Sequence, residues 1–212
     1  MIQSKVLLVD DHEVVRSGLR RLLELNKALV VVAEADSGEQ AYQVYGDFQP
    51  DIVVMDLSMP GMGGLEAAKR ILQRHPSARI IIFSMHEAVS FASQALKAGV
   101  RGYVTKTGAA DDLMMAVNEV LRGKTFLSAG IAQKIALQTL MGDDDPLQQL
   151  SSREFEVFRL LAEGRKVEEV ADMLKISQKT VANYHTMIKQ KLGVTSPIEM
   201  VRLAMRHGLI EE

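Results

Sequence analysis

Four short runs of apolar residues stand out along the chain. They are Lys5-Val6-Leu7-Leu8-Val9, Ile52-Val53-Val54-Met55, Arg79-Ile80-Ile81-Ile82-Phe83 and Gly102-Tyr103-Val104-Thr105. Each is rich in β-branched or aromatic residues and bounded by turn chemistry, so each reads as a strand. Between them the apolar positions fall at helical spacing. One set is Val14, Leu19, Leu22 and Leu23, and a second is Leu65, Ala68, Ile71 and Leu72. Phe91, Ala95 and Leu96 make a third, and Leu113, Val117, Val120 and Leu121 a fourth. Strands alternating with helices predict an α/β fold, a parallel sheet with helices on both faces. After residue 122 the strand pattern stops. A helical pattern over 128–141 (Ile131, Ile135, Leu140) leads to Gly142-Asp143-Asp144-Asp145-Pro146, a charged helix breaker that reads as a linker.

Beyond the linker the pattern is all-helical. Ser151-Ser152-Arg153-Glu154 is a capping signature ahead of Phe155, Phe158, Leu161 and Ala162, and Gly164 ends that helix. A short second helix covers 167–174, with Val170, Ala171 and Leu174 inward. Lys175-Ile176-Ser177 makes a tight turn, and Ser177 caps a third helix from about Gln178 to Leu192, stopped by Gly193. Val181, Ile188 and Leu192 are its core positions. Pro197 opens a fourth, with Met200, Leu203 and Ala204 inward.

The ends of the strands carry the chemistry. The first run ends in Asp10 and Asp11, the second in Asp56, the third in Ser84 and the fourth in Lys106. Parallel strands present their carboxyl ends on one edge, where open α/β sheets bind ligands. Clustered carboxylates repel unless a cation sits among them, and a hard, oxygen-preferring ion such as Mg²⁺ suits them. A carboxylate can accept a phosphoryl group, and the cation with Lys106 would neutralise the transferring oxygens. Taken singly, each of these residues is also an ordinary solvated loop residue. Their joint, ordered occurrence is what points to a site.

In these residues, 1–122 resemble the receiver domain of two-component response regulators. The resemblance implies a doubly wound (βα)₅ fold with Asp56 as phosphoacceptor, assisted by Ser84 and Lys106. It implies Ser84 and Tyr103 as switch residues. Mg²⁺ would be held by Asp11, Asp56 and the backbone carbonyl of Ser58, with Asp10 helping through water. Many receivers carry proline after the lysine; here Thr107 stands there, and a trans peptide is expected because a non-proline cis bond costs about 2.5–4 kcal/mol. Ser58 and His86, each two residues past a site residue, are placed to modulate water access to an aspartyl phosphate. A haloacid-dehalogenase-type phosphatase uses similar groups, but it needs a second aspartate where this chain has Ser58.

Composition narrows the setting. The chain of 212 residues is 47% apolar and 25% charged, which is ordinary for a soluble protein. It has no cysteine, so disulfides and thiolate metal sites are excluded. No signal-peptide pattern and no membrane-length apolar run occurs, and a cytoplasmic location is expected. The net charge of −2 hides a local stripe: Lys175, Lys179, Lys189 and Lys191 stand between 175 and 191 with no acid among them. Such a stripe is the electrostatic footprint of nucleic-acid contact.

Two helices joined by a tight turn, the second one basic, describe a helix-turn-helix, whose second helix enters the major groove. A small helical bundle with a lysine-rich solvated face fits the same pattern. Leu150-Ser151-Ser152-Arg153-Glu154, Leu161-Ala162-Glu163-Gly164, Ser177-Gln178-Lys179-Thr180-Val181 and Lys191-Leu192-Gly193-Val194 resemble the LuxR-type DNA-binding domain. Receiver plus this domain is the NarL/FixJ class. The domain expectation is a receiver over 1–122, a linker over 123–146 and a DNA-binding domain over 147–212. The resemblance implies a transcription regulator rather than an enzyme. A sensor histidine kinase would phosphorylate it, and it would bind double-stranded DNA as a homodimer. Lys179 and Thr180 would contact phosphate; Ala182, Asn183 and Thr186 would face base edges; Tyr184, Lys189 and Lys191 would lie along the DNA backbone.

Overall fold

A computed structural model describes residues 3–108, 110–141 and 145–210. Its contacts divide the chain into two compact units, one of Met1–Glu87 with Ala95–Ala129 and one of Ala88–Gln94 with Gly130–Glu212. The elements before residue 128 are β1 Ser4–Val9, α1 Glu13–Glu24, β2 Leu29–Ala35, α2 Gly38–Phe48, β3 Ile52–Met55, α3 Gly64–Arg74, β4 Ile80–Ser84, α4 Val89–Lys97, β5 Gly102–Thr105, α5 Ala110–Leu121 and β6 Phe126–Leu127. Their strands form one parallel sheet in the order β2-β1-β3-β4-β5-β6. The order turns back between β1 and β3, which opens a crevice beyond their carboxyl ends.

The central strands are buried on both faces, as parallel strands are. All four residues of β3 and all four of β5 are buried. Val6, Leu8, Ile52, Val54 and Val104 pack with Leu19 and Leu23 of α1 and with Leu113, Ala116, Val117 and Val120 of α5. By strand alternation Leu7, Val53 and Met55 face the other side, and Leu65, Ala68 and Ile71 of α3 are fully buried.

Three elements were not among the runs read from the sequence. β2 alternates buried and half-buried residues. The helix α2 buries only Gly38, Ala41 and Tyr45. The two-residue β6 extends a five-stranded expectation to six strands. The phase of α1 also differs from expectation. Val14 is 85% exposed, and Val15 packs on the core with Leu19, Leu22 and Leu23. Val15 is four residues before Leu19 and shares its face, whereas Val14 does not. No peptide bond is cis among the described residues, so the Lys106–Thr107 bond is trans.

The second unit contains α6 Ala129–Met141, a 3-10 turn Pro146–Gln149, α7 Ser152–Ala162, α8 Val167–Leu174, α9 Gln178–Leu192 and α10 Pro197–Arg206. Ile131 is buried but Leu140 is 83% exposed, so the apolar face expected of α6 ends early. Residues 142–144 of the expected linker lie outside the described residues. Asp145, at its end, accepts from the Leu147 N–H (3.0 Å), and His207 Nδ1 lies 3.3 Å from its carboxylate. Ser151 and Glu154 form the expected capping box at α7. The core takes Phe155 and Phe158 of α7, Val170 and Leu174 of α8, Val181 and Ile188 of α9, and Met200 and Ala204 of α10. Leu161, Leu192 and Leu203, expected inward, are half-buried.

Candidate functional site

The ladder continues one residue past each central strand. The Asp10 N–H donates to Ala35, the Asp56 N–H to Val9 (2.7 Å), and the Lys106 N–H to Ser84 (2.7 Å). These bonds fix the backbones at the crevice, and the side chains follow. Lys106 Nζ donates to Asp10 Oδ2 at 2.7 Å and lies 2.9 Å from Asp56 Oδ1. Asp10 and Asp56 are 1% and 6% exposed, and Ser84 is fully buried.

Helix α3 can begin beside Asp56 because Gly64 has no side chain. A Cβ there would lie 2.1 Å from the Asp56 carbonyl oxygen. The loop between them is held from α2, where Glu39 Oε1 accepts from the Met62 N–H at 3.0 Å. At the loop's start the Ser58 N–H donates to Asp56 Oδ2 (3.2 Å), and Ser58 Oγ meets His86 Nε2 at 2.8 Å. Tyr103 is fully buried and its hydroxyl donates to the His86 carbonyl at 2.9 Å. Burial and the neighbouring Asp56 charge push its phenol up, against a hydrogen bond with Ser84. Thr107, in the place where many receivers have proline, donates from its hydroxyl to Glu87 at 2.5 Å.

The pocket is short of positive charge. Burial pushes the Asp56 carboxyl up, Lys106 pulls it back and Asp10 adds to the rise. Burial alone would lower Lys106, but its hydrogen bonds to Asp10 and Asp56 and their charges carry it up instead. Asp10 and Asp56 therefore share one ammonium. Asp11 Oδ1 is buried and accepts no hydrogen bond among the described residues, although His12 Nδ1 lies 3.0 Å away. Asp10, Asp11 and His12 offer ligand atoms within 4.8 Å of one another. An orphaned carboxylate oxygen beside a second carboxylate is a donor set a hard divalent cation takes.

In the second unit, α8, the turn at Lys175 and α9 make the helix-turn-helix geometry. Lys175 adopts a left-handed conformation (φ 52°), and Ser177 accepts from the Thr180 N–H at 3.1 Å to start α9. Lys179, Ala182, Asn183 and Thr186 are exposed along α9, while Thr180, Tyr184 and Lys189 are half-buried. The Lys191 ammonium sits 2.6 Å from Glu154 of α7, so it also ties α9 to α7. Arg153 reaches from α7 to the Leu174 carbonyl (2.6 Å) and clamps the end of α8.

Both halves have known relatives. Residues 6–118 match the family described as response regulator receiver domain, and residues 148–204 match the bacterial regulatory proteins of the luxR family. The chain belongs to the response regulators.

This response regulator is 37% identical over 209 residues to the response regulator GacA of Pseudomonas aeruginosa, covering 98% of each chain. It is 38% identical over 206 residues to the response regulator UvrY of Escherichia coli, covering 96% of this chain and 94% of that one. Among solved structures it is similar to RcsB of Salmonella enterica serovar Typhimurium bound to the promoter rprA with the phosphomimetic BeF3⁻. The identity is 30%, the coverage 95% and 98%, and the TM-score 0.71. A LuxR-family response regulator from Aurantimonas matches 65% of this chain and 99% of its own length, at 46% identity and TM-score 0.64.

Several residues that shape the regulator's two sites were not picked out in the sequence. Arg16 Nη1 donates to the Asp10 carbonyl at 2.6 Å, one helical turn past the acidic pair. Glu39, whose carboxylate holds the Met62 N–H, is another. A polar or long side chain on a helix carries no signal of its target until the fold supplies the neighbour.

Proposed function

We propose that this response regulator is a phosphorylation-dependent transcription regulator of a two-component system, located in the cytoplasm. Asp56 accepts a phosphoryl group from a sensor histidine kinase, and the luxR-type domain binds double-stranded DNA as a homodimer. The observation that carries the reading is the Lys106 bridge to Asp10 and Asp56 at the carboxyl edge of the sheet, in a chain that also holds a helix-turn-helix. The absence of any helix long and apolar enough to cross a membrane among the described residues is compatible with it.

Asp10, Asp11, Asp56 and the Ser58 carbonyl would hold Mg²⁺, which supplies charge neutralisation for the phosphoryl oxygens. A carboxylate oxygen of Asp56 attacks phosphorus as the phosphorus–nitrogen bond of the phosphohistidine breaks, and the imidazole leaves with the electron pair. Lys106 stabilises the new phosphoryl oxygens, and Ser84 donates its hydroxyl to one of them. Tyr103 responds to Ser84, and the surface around residues 85–107 changes with them. Phosphorylation shifts a pre-existing equilibrium by no more than its differential contacts allow. We take residues 1–122 as the receiver, 123–146 as linker and 147–212 as the DNA-binding domain. On DNA, Lys179 and Thr180 contact phosphate, Ala182, Asn183 and Thr186 face base edges, and Tyr184, Lys189 and Lys191 follow the backbone.

The chain acts as a regulator and not as a phosphatase. The residue two after Asp56 is Ser58, whose hydroxyl is engaged with His86, so no acid stands there to protonate a leaving group. Mass spectrometry after incubation with acetyl phosphate and Mg²⁺ tests the phosphoacceptor. A single hydroxylamine-labile phosphoryl adduct in wild type and none in Asp56→Asn supports the reading. An equal adduct in both contradicts it.

A further inference from the structure

The outer face of α9 has an uncharged centre. Ala182, Asn183 and Thr186 are exposed and Met187 is 45% exposed. At spacings of three and four residues they form one patch, with Lys179 a turn before it and Gln190 a turn after. Three of the four present carbon or sulfur. Ala182 has only its methyl and Met187 its thioether end. Thr186 joins them because its hydroxyl proton is already used: Oγ1 donates to the Ala182 carbonyl at 3.1 Å, so the side chain has no donor left for a base edge and its γ-methyl is what it can bring to a thymine. Asn183 makes no side-chain hydrogen bond among the described residues, so its amide is free to pair.

The chemistry of the major groove converts this face into a preference. Guanine is read mainly by arginine or lysine forks, and none stands in the patch. Adenine is read by a bidentate asparagine amide, and the thymine 5-methyl by apolar side chains. We infer that α9 reads A·T base pairs at the centre of each half-site, with Thr186 acting through its methyl as a specificity-determining residue. Asn183 takes the adenine edge, and Ala182, Thr186 and Met187 enclose thymine methyls. This rests on the reading that α9 enters the major groove.

The test uses the full-length chain with acetyl phosphate and Mg²⁺. A random duplex library is enriched by binding, and the best duplex is remade with deoxyuridine for each half-site thymidine in turn. The substitution removes one methyl and no hydrogen-bonding group. Two variants separate the two ends of Thr186. Thr186→Val keeps the methyl and removes the hydroxyl, and Thr186→Ser does the reverse. Circular dichroism melts check that both are folded.

The expected result is an A·T-centred half-site and about a fourfold loss of affinity when the contacted thymine loses its methyl, the worth of one buried methyl group. Thr186→Val should keep the wild-type ratio of affinities between the thymine and uracil duplexes. Thr186→Ser should lose about as much on the thymine duplex and nothing further on the uracil duplex. A G·C-centred site, no effect of uracil, or a loss in Thr186→Val with none in Thr186→Ser overturns the inference while leaving DNA binding intact. Enrichment of no sequence at all overturns it by removing the DNA-reading role of α9 on which it stands.

Discussion

The hydroxyl of Ser58 and the imidazole of His86 meet 2.8 Å apart, linking the loop after Asp56 to the loop after Ser84 across the mouth of the pocket. His86 is held on its other side by Tyr103, which donates to its carbonyl. A bridge at that place would limit the approach of water to an acyl phosphate.

Loss of that link should shorten the phosphorylated state. His86→Ala and Ser58→Ala each remove one hydrogen bond worth about 1 kcal/mol, or roughly fivefold in rate. We predict a dephosphorylation rate raised by about that factor, followed by loss of the phosphoryl adduct over time. The DNA affinity of the freshly phosphorylated variants should change less than about twofold on the same scale. Unchanged lifetimes with altered DNA affinity would place this pair in the output pathway and not at the pocket mouth.

Lys106 is the cation beside Asp10 and Asp56. Lys106→Met leaves their carboxylates facing one another and removes a stabiliser of developing charge, an effect that ranges about 10²–10³-fold for a well-placed donor. Phosphorylation by acetyl phosphate should slow by at least about 10²-fold. A variant phosphorylated at the wild-type rate would show that Lys106 only fills space.

Gly64 and Gly18 should respond to alanine in opposite directions. A Cβ at Gly64 would meet the Asp56 carbonyl oxygen at 2.1 Å, whereas one at Gly18, inside α1, meets nothing within 4 Å. Gly64→Ala should destabilise the first unit by several kcal/mol, at or above the usual overpacking cost of about 1–3 kcal/mol. Gly18→Ala should stabilise it by about 0.5–1 kcal/mol. Urea midpoints of the two variants decide this, and equal midpoints would mean that α3 does not start where described.

Glu154 links pH to the stability of the second unit. Burial pushes its carboxyl up, but the Lys191 ammonium and the Ser151 N–H and hydroxyl outweigh that and hold it below the ordinary 4.5. A depressed carboxyl contributes stability that is present above 4.5 and lost as pH falls through its folded value. Glu154→Gln should therefore cost on the order of 1–2 kcal/mol near neutrality, the lower part of the range for charged hydrogen bonds because Lys191 is partly solvated. The difference from wild type should shrink as pH falls below 4.5 and be lost once pH has passed through the folded value. A difference that persists unchanged into acid would mean that packing, not charge, is what the substitution removes.

Much of this was legible in the chain because its signals are local. A strand ending in acid, a serine cap or a glycine stop is written in adjacent residues, which is why β1, β3, β4, β5 and the bounds of α9 could be read directly. β2 is an unbroken apolar run over 29–33 that ends in Glu34, in phase on its half-buried side; that carboxylate is held by Arg16 and Arg20 of α1, a partnership only the fold reveals. Helix α2 buries little and so has a weak pattern. β6 is two residues long, too short for any periodicity. In the pocket the residue types were legible, but the direction of each side chain was not. The Lys106 bridge, the Ser58–His86 link and the back-bonded hydroxyl of Thr186 are tertiary or rotameric facts that spacing does not encode.

If Asp56 switches the second unit, its phosphorylation must change what that unit does. The decisive measurement is DNA binding and oligomeric state, with and without acetyl phosphate and Mg²⁺, in wild type and Asp56→Asn. The phosphodonor should raise both affinity and dimer fraction in wild type and neither in the variant. Identical behaviour of the two proteins would contradict it and leave a DNA binder that the pocket does not switch.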